Sequence, residues 1–280
     1  MCALPDYVVI GHATQDLLPD GRTTPGGTVT YSGLTAAMLG RRVGIVTSAA
    51  QAPQYRSDGI LVHCRPAPFT TLYENLQTPQ GRKQYLRARA LPLGLDDVPA
   101  GWGQARIVHL GPLTQEVDPA LIQAFPKALL GITPQGWLRQ WDADGLISPV
   151  AWGHAWQPLE AAAAVVLSPE DLGDDPNALA EWRAHTRLLV LTLGRRGAIV
   201  YHRGQEQRVP AYDVLEVDPT GAGDVFAAAF LVQLDECGDP VEAARFANCA
   251  ASFVVEGVGA SNLATREQLE WRMAHGRTLT

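Results

Sequence analysis

The chain has 280 residues, 46% apolar and 18% charged, the balance of a globular protein long enough to bury one large core or two. Its 22 basic and 29 acidic residues leave a formal charge of −7 with no basic block, which argues against a nucleic-acid partner. No apolar run approaches the ~20 residues of a membrane span, and no basic stretch leads into an apolar signal segment. The four scattered cysteines (Cys2, Cys64, Cys237, Cys249) lack metal-ligand spacing and read as reduced, mostly buried thiols of a cytoplasmic protein.

Short β-rich runs alternate with helical stretches. Tyr7–Ile10 reads as a first strand, Thr30–Leu39 as a helix stopped by Gly40, and Val43–Thr47 and Ile60–Cys64 as further strands. Arg106–Leu110, Ala128–Ile132, Ala164–Leu167 and Leu188–Leu193 are continuous apolar runs, the pattern of strands covered on both faces. Helical segments fall at Pro119–Phe125, Pro176–His185, Gly221–Leu234, Val241–Val255 and Arg266–Ala274. That order predicts a doubly wound, mostly parallel α/β sheet between helix layers, with ligands at the carboxyl ends of its strands. Two hairpins interrupt it. Phe69–Gln77 and Arg82–Arg89 flank the turn signal Pro79-Gln80-Gly81, and Gly197–His202 precedes Gln207–Ala211. The first is a candidate flap over a site, and its need for a supporting surface allows a homodimer.

The stretch Asp218-Pro219-Thr220-Gly221-Ala222-Gly223-Asp224 feeds the apolar helix that begins at Val225. Small residues let a ligand approach the backbone, and the N–H groups of a helix start attract an anion such as a phosphate. Asp224 is then placed to take a proton from an attacking hydroxyl, or serves only as a helix-start acid. Upstream, Asp16 follows the first strand by a short loop, where a carboxylate can accept hydrogen bonds from neighbouring sugar or polyol hydroxyls. The pair Gly26-Gly27 lets backbone amides reach a hydroxylated ligand. Thr192 and Gly194 close a strong strand, where they suit a nucleotide phosphate or a plain turn. No P-loop, dinucleotide fingerprint or hydrolase elbow occurs. The seven histidines read as structural, and the tryptophans between Trp137 and Trp156 as packing, with Trp152 or Trp156 a weaker candidate for a ligand contact.

Together these segments resemble the ribokinase-like (PfkB) carbohydrate kinase family over nearly the whole chain. Asp218 to Phe226 is similar to the second family signature, and Pro25-Gly26-Gly27 through Gly44 to the first. The resemblance implies a single ribokinase-like domain over 1–280 with a small β lid formed mainly by 69–89. It implies ATP-dependent phosphorylation of a small sugar or polyol. Asp224 would be the base and Gly221, Ala222 and Gly223 the anion hole. Asp16, Gly26, Gly27 and the nearby Tyr31 would bind the acceptor, and Thr192, Gly194 and Asn248 the nucleotide. Asp171 and Glu170 would hold Mg2+ through water, and Asp218 and Thr220 belong to a loop that often holds K+.

Three departures stand out. Tyr31 occupies a position where the family often has an Asn reaching the sugar. The family's Asn-x-x-Glu element is Ser168-Pro169-Glu170-Asp171. Leu17–Thr24 is too short for the long lid strands of ribokinase, which shifts lid duty to the 69–89 hairpin. The Gly26-Gly27-Thr28-x-x-Tyr31 pattern is similar to a branch with inositol-kinase-like members. A nucleoside kinase of the same fold, with Tyr31 or a tryptophan near 152–156 stacking on the base, and a catalytically silent ligand sensor are the competing readings.

Overall fold

A computed structural model describes residues 4–55, 57, 59–78, 81–153 and 156–279. Cys2 and the Pro79-Gln80 part of the expected turn lie outside them. In chain order the elements are β1 (Tyr7–Ile10), β2 (Thr14–Leu17), β3 (Thr23–Gly26), α1 (Thr28–Met38), β4 (Val43–Ala49), β5 (Ile60–Pro66), β6 (Thr71–Thr78), β7 (Gly81–Ala88), β8 (Ile107–Leu110), β9 (Leu129–Ile132), β10 (Arg139–Trp141) and β11 (Ile147–Pro149). There follow α2 (Gln157–Ala161), β12 (Ala164–Leu167), α3 (Pro169–Leu172), α4 (Ala178–Ala184), β13 (Leu188–Thr192), β14 (Ala198–His202), β15 (Gln205–Val209), α5 (Ala222–Cys237), α6 (Pro240–Val254) and α7 (Arg266–His275).

Among the described residues the main sheet has nine strands in the order β15-β14-β13-β12-β9-β8-β1-β4-β5. It is parallel from β13 to β5, and β14 and β15 add an antiparallel edge. The apolar runs are buried on both faces, as their lack of alternation predicts. On β1, Tyr7 and Val9 join a core with α1, α5 and α6, while Val8 and Ile10 join the core on the opposite face. The second face is covered by short elements. Residues 119–124 form a 3-10 helix where a helical segment was expected over 119–125, and α2 and α4 are brief. Bulky rings fill that layer: Trp152 lies 5.5–5.9 Å from Trp137, Trp156 and Trp182 between ring centroids. Trp152 and Trp156 are therefore packing residues of this layer.

The lid is a second, mixed sheet in the order β3-β2-β6-β7. Most of its strand residues come from the 69–89 hairpin, as β6 and β7, and two shorter strands are added to them. Leu17–Thr24 is short, yet its flanks pair as β2 and β3, and β2 runs parallel to β6. Pro25 sits in β3, the edge strand, where its missing N–H leaves no ladder bond unmade. The hairpin β6–β7 thus finds its partner in β2 of the same chain. It also touches β10–β11, through a bridge from Tyr85 to Leu146 and a bond from the Leu86 amide to the Gly145 carbonyl at 2.8 Å.

Of the described cysteines, only Cys249 is buried; Cys64 is half-buried and Cys237 exposed, so the thiols are more open than expected. All three are free. No helix among the described residues is long and apolar enough to cross a membrane.

Candidate active site

The turn before α5 is cross-braced by one carboxylate. Asp218 Oδ1 accepts from the Thr220 amide at 2.9 Å, and its Oδ2 accepts from the Gly259 amide at 3.1 Å. Gly221 takes a left-handed conformation (φ 79°) at the helix N-cap, a region that strains residues with a Cβ. The amide of Ala222 donates to the Pro219 carbonyl at 3.2 Å within the turn. Gly223, in the first turn of α5, is exposed, and a Cβ added there would meet nothing within 4 Å. That open ground, at the positive end of a 16-residue helix, can accept an anion.

Asp224 follows directly. Burial pushes its carboxyl up to about 6, helped by the Asp171 carboxylate, while a hydrogen bond from the Thr28 hydroxyl and the Arg139 guanidinium pull the other way. A carboxylate tuned near neutrality and held by a neighbouring hydroxyl is suited to accept a proton. Thr28 is the first residue of α1, directly after Gly27, so the glycine pair and the acid belong to one assembly. Ser32 extends it, its hydroxyl donating to the Asp224 carbonyl at 3.0 Å.

Asp16 lies on β2, a lid strand that begins one short loop after β1. Its Oδ1 accepts from Asn75 Nδ2 at 3.1 Å. Its Oδ2 lies 2.5 Å from where a Cβ on Gly26 would stand, so Gly26 is required for close approach to this carboxylate. Gly27 has φ 89°.

Tyr31 does not line an open acceptor site. Its side chain is 3% exposed, and its ring covers Gly221. Burial raises its hydroxyl pKa, and the carboxylates of Asp218, Asp224 and Asp16 add to the shift, which places the phenol among all three acids.

Thr192 and Gly194 stand at the end of β13. The Thr192 hydroxyl donates to the Leu167 carbonyl at 3.2 Å, and Gly194 is exposed with open space above its Cα. Asn248 is 6% exposed; its amide donates to the carbonyls of Val209 and Pro210, each at 3.1 Å. Asp171 caps its own short helix, Oδ2 accepting from the Ser168 amide and hydroxyl at 2.8 Å each. Its charge is felt at Asp224, whereas Glu170 points to solvent exposure. One carboxylate near the anion ground, with another exposed beside it, fits Mg2+ held chiefly by phosphates and water. Among the described residues no cluster of three or more His, Cys, Asp or Glu side chains forms a metal cage.

The sequence reading missed Arg139. It is half-buried at the start of β10, lies near the Tyr73 side chain, and its charge acts on Asp224. Asp224 lies 85 positions further along the chain, and no local motif signals the meeting. His12 and His109 are structural as expected: His12 bonds to Leu91 and Thr71, His109 to Tyr7 and Thr133.

The profile described as "pfkB family carbohydrate kinase" matches residues 160–267, which include the whole turn and Asp224. That segment matches the pfkB family, and the chain as a whole has a ribokinase-like fold. Over 260 residues it is 29% identical to a cytidine kinase of Thermococcus kodakarensis, covering 85% of this chain and 91% of that one. A shorter stretch of 79 residues is 38% identical to an inositol 3-kinase of Arabidopsis thaliana, covering 28% of this chain and 22% of the plant enzyme. In fold it is similar to a pyrophosphate-dependent kinase of the ribokinase family solved with a pyrophosphate analogue and myo-inositol (TM-score 0.78, 24% identity, 94% of this chain and 99% of that one). The family match and the kinase relatives together make this protein a kinase.

Proposed function

We propose that this kinase transfers a phosphoryl group from ATP to a hydroxyl of a small polyol or sugar, inositol-like rings included. The observation that carries the reading is the pairing of Asp224, held by Thr28 with its pKa near 6, with the open anion ground over Gly223. Asp224 takes the proton of the acceptor hydroxyl as that oxygen attacks the terminal phosphorus, and the bond to the bridging oxygen breaks to release ADP. The α5 N-terminus and Arg139 offset the charge that builds on the phosphoryl oxygens. Asp16 holds neighbouring acceptor hydroxyls. Asp171, with Glu170 through water, would hold Mg2+, whose chemistry would be to neutralise phosphate charge. Asp218 and Thr220 shape the loop that would surround a monovalent cation.

ATP is preferred as donor because an apolar surface borders the turn. Leu215, Val217 and Val258 are 78%, 56% and 70% exposed on two segments joined by bonds from Val217 and Asp218 amides to the Val255 carbonyl. A purine would bury such aliphatics, whereas pyrophosphate would not. Free thiols and a net negative charge suit a cytoplasmic enzyme.

The breadth of the cytidine kinase match favours a second reading, a nucleoside acceptor. Against it, Tyr31, Trp152 and Trp156 are committed to packing, which leaves no stacking ring from that set for an acceptor base. The test is a panel of inositol, ribose, fructose, cytidine and adenosine, each with ATP or pyrophosphate, followed by 31P NMR. Phosphorylated polyol from ATP is the expected product. Turnover of nucleosides alone, or with pyrophosphate alone, overturns the acceptor or the donor assignment. Silence across the panel with measurable ligand binding points to the sensor.

A further inference from the structure

The lid carries a chain of polar side chains along one face. β2 runs parallel to β6 with Asp16 opposite Tyr73, so Asp16, Tyr73 and Asn75 project to the same side. On β7, Gln84 stands opposite Asn75. Gln84 Nε2 donates to Asn75 Oδ1 at 3.0 Å, and Asn75 Nδ2 donates to Asp16 Oδ1 at 3.1 Å.

The polarity of this chain is forced. A carboxylate only accepts, so Asn75 must turn its NH2 group toward Asp16. Gln84 then stabilises that orientation by donating to the amide oxygen on the other side. Asn75 thus holds Oδ1, while the Gly26 backbone stands close against Oδ2. The same face borders the transfer centre: the Tyr73 hydroxyl donates to the Leu113 carbonyl at 2.9 Å, and its neighbour Arg139 reaches the charge of Asp224. Tyr31, the other acceptor candidate, is buried against Gly221.

We infer that Asn75 and Gln84 are the specificity-determining residues for the acceptor: by fixing the orientation of Asp16 they select which vicinal diol binds, and which of its hydroxyls reaches Asp224. This rests on the polyol kinase reading above. Both act as positioning residues through Asp16. Asn75 fixes the carboxylate directly, and Gln84 fixes Asn75.

Two variants test it. Asn75→Leu removes the donor to Asp16. Gln84→Glu is nearly isosteric but cannot donate, so a second carboxylate competes with Asp16 for the Asn75 NH2 group. Each variant and the native enzyme are assayed with ATP against inositol, ribose and fructose, with the phosphorylated position read by 31P NMR and ATP affinity by calorimetry. In both variants KM for the best acceptor should rise at least tenfold with kcat changed less, because a hydrogen bond to a charged group is lost or weakened. The ratio of kcat/KM between two acceptors should shift at least tenfold, and ATP affinity should hold. An equal loss for every acceptor, or ratios unchanged within twofold, overturns the inference. Should the native enzyme phosphorylate none of them, the kinase reading of the acceptor fails by itself. Calorimetric titration of the same polyols then decides: at least tenfold weaker binding by both variants sustains the inference, while equal affinity, or no binding by the native protein, overturns it.

Discussion

The ring of Tyr31 lies against the α-carbon of Gly221, so close that a Cβ on Gly221 would come within 2.3 Å of Tyr31 Cδ1. Residue 221 is left-handed as well, so two independent constraints demand glycine there. Tyr31 also extends its hydroxyl toward Gly259, whose amide is held by Asp218. One aromatic side chain of α1 thus supports both halves of the anion turn.

Replacing that support should loosen the turn. Tyr31→Ala is expected to lower stability by about 3–5 kcal/mol through the cavity it opens, and to reduce kcat beyond that. Tyr31→Phe keeps the ring and should stay within about 1 kcal/mol of the native protein. Urea unfolding beside steady-state kinetics checks both. Equal kinetics in all three proteins would remove Tyr31 from any role at the anion turn.

Gly223 offers the opposite case. No neighbour crowds it and its φ is not left-handed, so Gly223→Ala should fold normally and gain up to about 1 kcal/mol from helix propensity. The added methyl stands on the ground proposed for the phosphoryl group, so kcat should fall at least about tenfold, the equivalent of 1.4 kcal/mol in the barrier. A variant that is stable and fully active would move the anion elsewhere.

Asp224→Asn should lower kcat by about 10²–10⁴, the usual contribution of a general base. Its effect on stability has the opposite sign. The folded-state pKa of about 6 lies above the ordinary 3.8, so the protonated acid favours folding. That contribution is complete below about pH 4 and is lost as pH rises through 6. At pH 8, Asp224→Asn is therefore expected to be the more stable protein by on the order of 3 kcal/mol, with the difference vanishing near pH 4. Thermal melts across pH settle the sign.

Turnover of the native enzyme should drop as pH falls below about 6, when Asp224 takes up its proton. Arg139 lowers that pKa, so Arg139→Met should move the acid limb of kcat/KM to higher pH as well as slowing the reaction. A slower enzyme with an unmoved acid limb would keep Arg139 on the phosphate and separate it from the base.

The main sheet was legible because its strands are continuous apolar runs, a pattern that burial on both faces imposes. The anion turn was legible because glycine spacing and a following apolar helix lie in one stretch of chain. β2 and β3 were not. Thr14–Leu17 and Thr23–Gly26 are four residues each, largely polar, and one contains Pro25. They are strands because β6 pairs with β2, and that partner lies more than fifty positions away. Arg139 was hidden for the same reason: nothing near it in sequence shows that it meets Asp224. Tyr31 was assigned to the acceptor from its place after the glycine pair, but the void left by Gly221 draws its ring into the interior.

The position of Asp16 on β2 has a kinetic consequence. Asp16 belongs to the lid sheet and Asp224 to the helix layer of the main sheet. An acceptor gripped by the first and deprotonated by the second becomes the strut between two separately hydrogen-bonded sheets. On the proposed reaction, a water molecule at Asp224 would leave the lid sheet unengaged, and hydrolysis of the donor would lack the contact that an acceptor makes to Asp16.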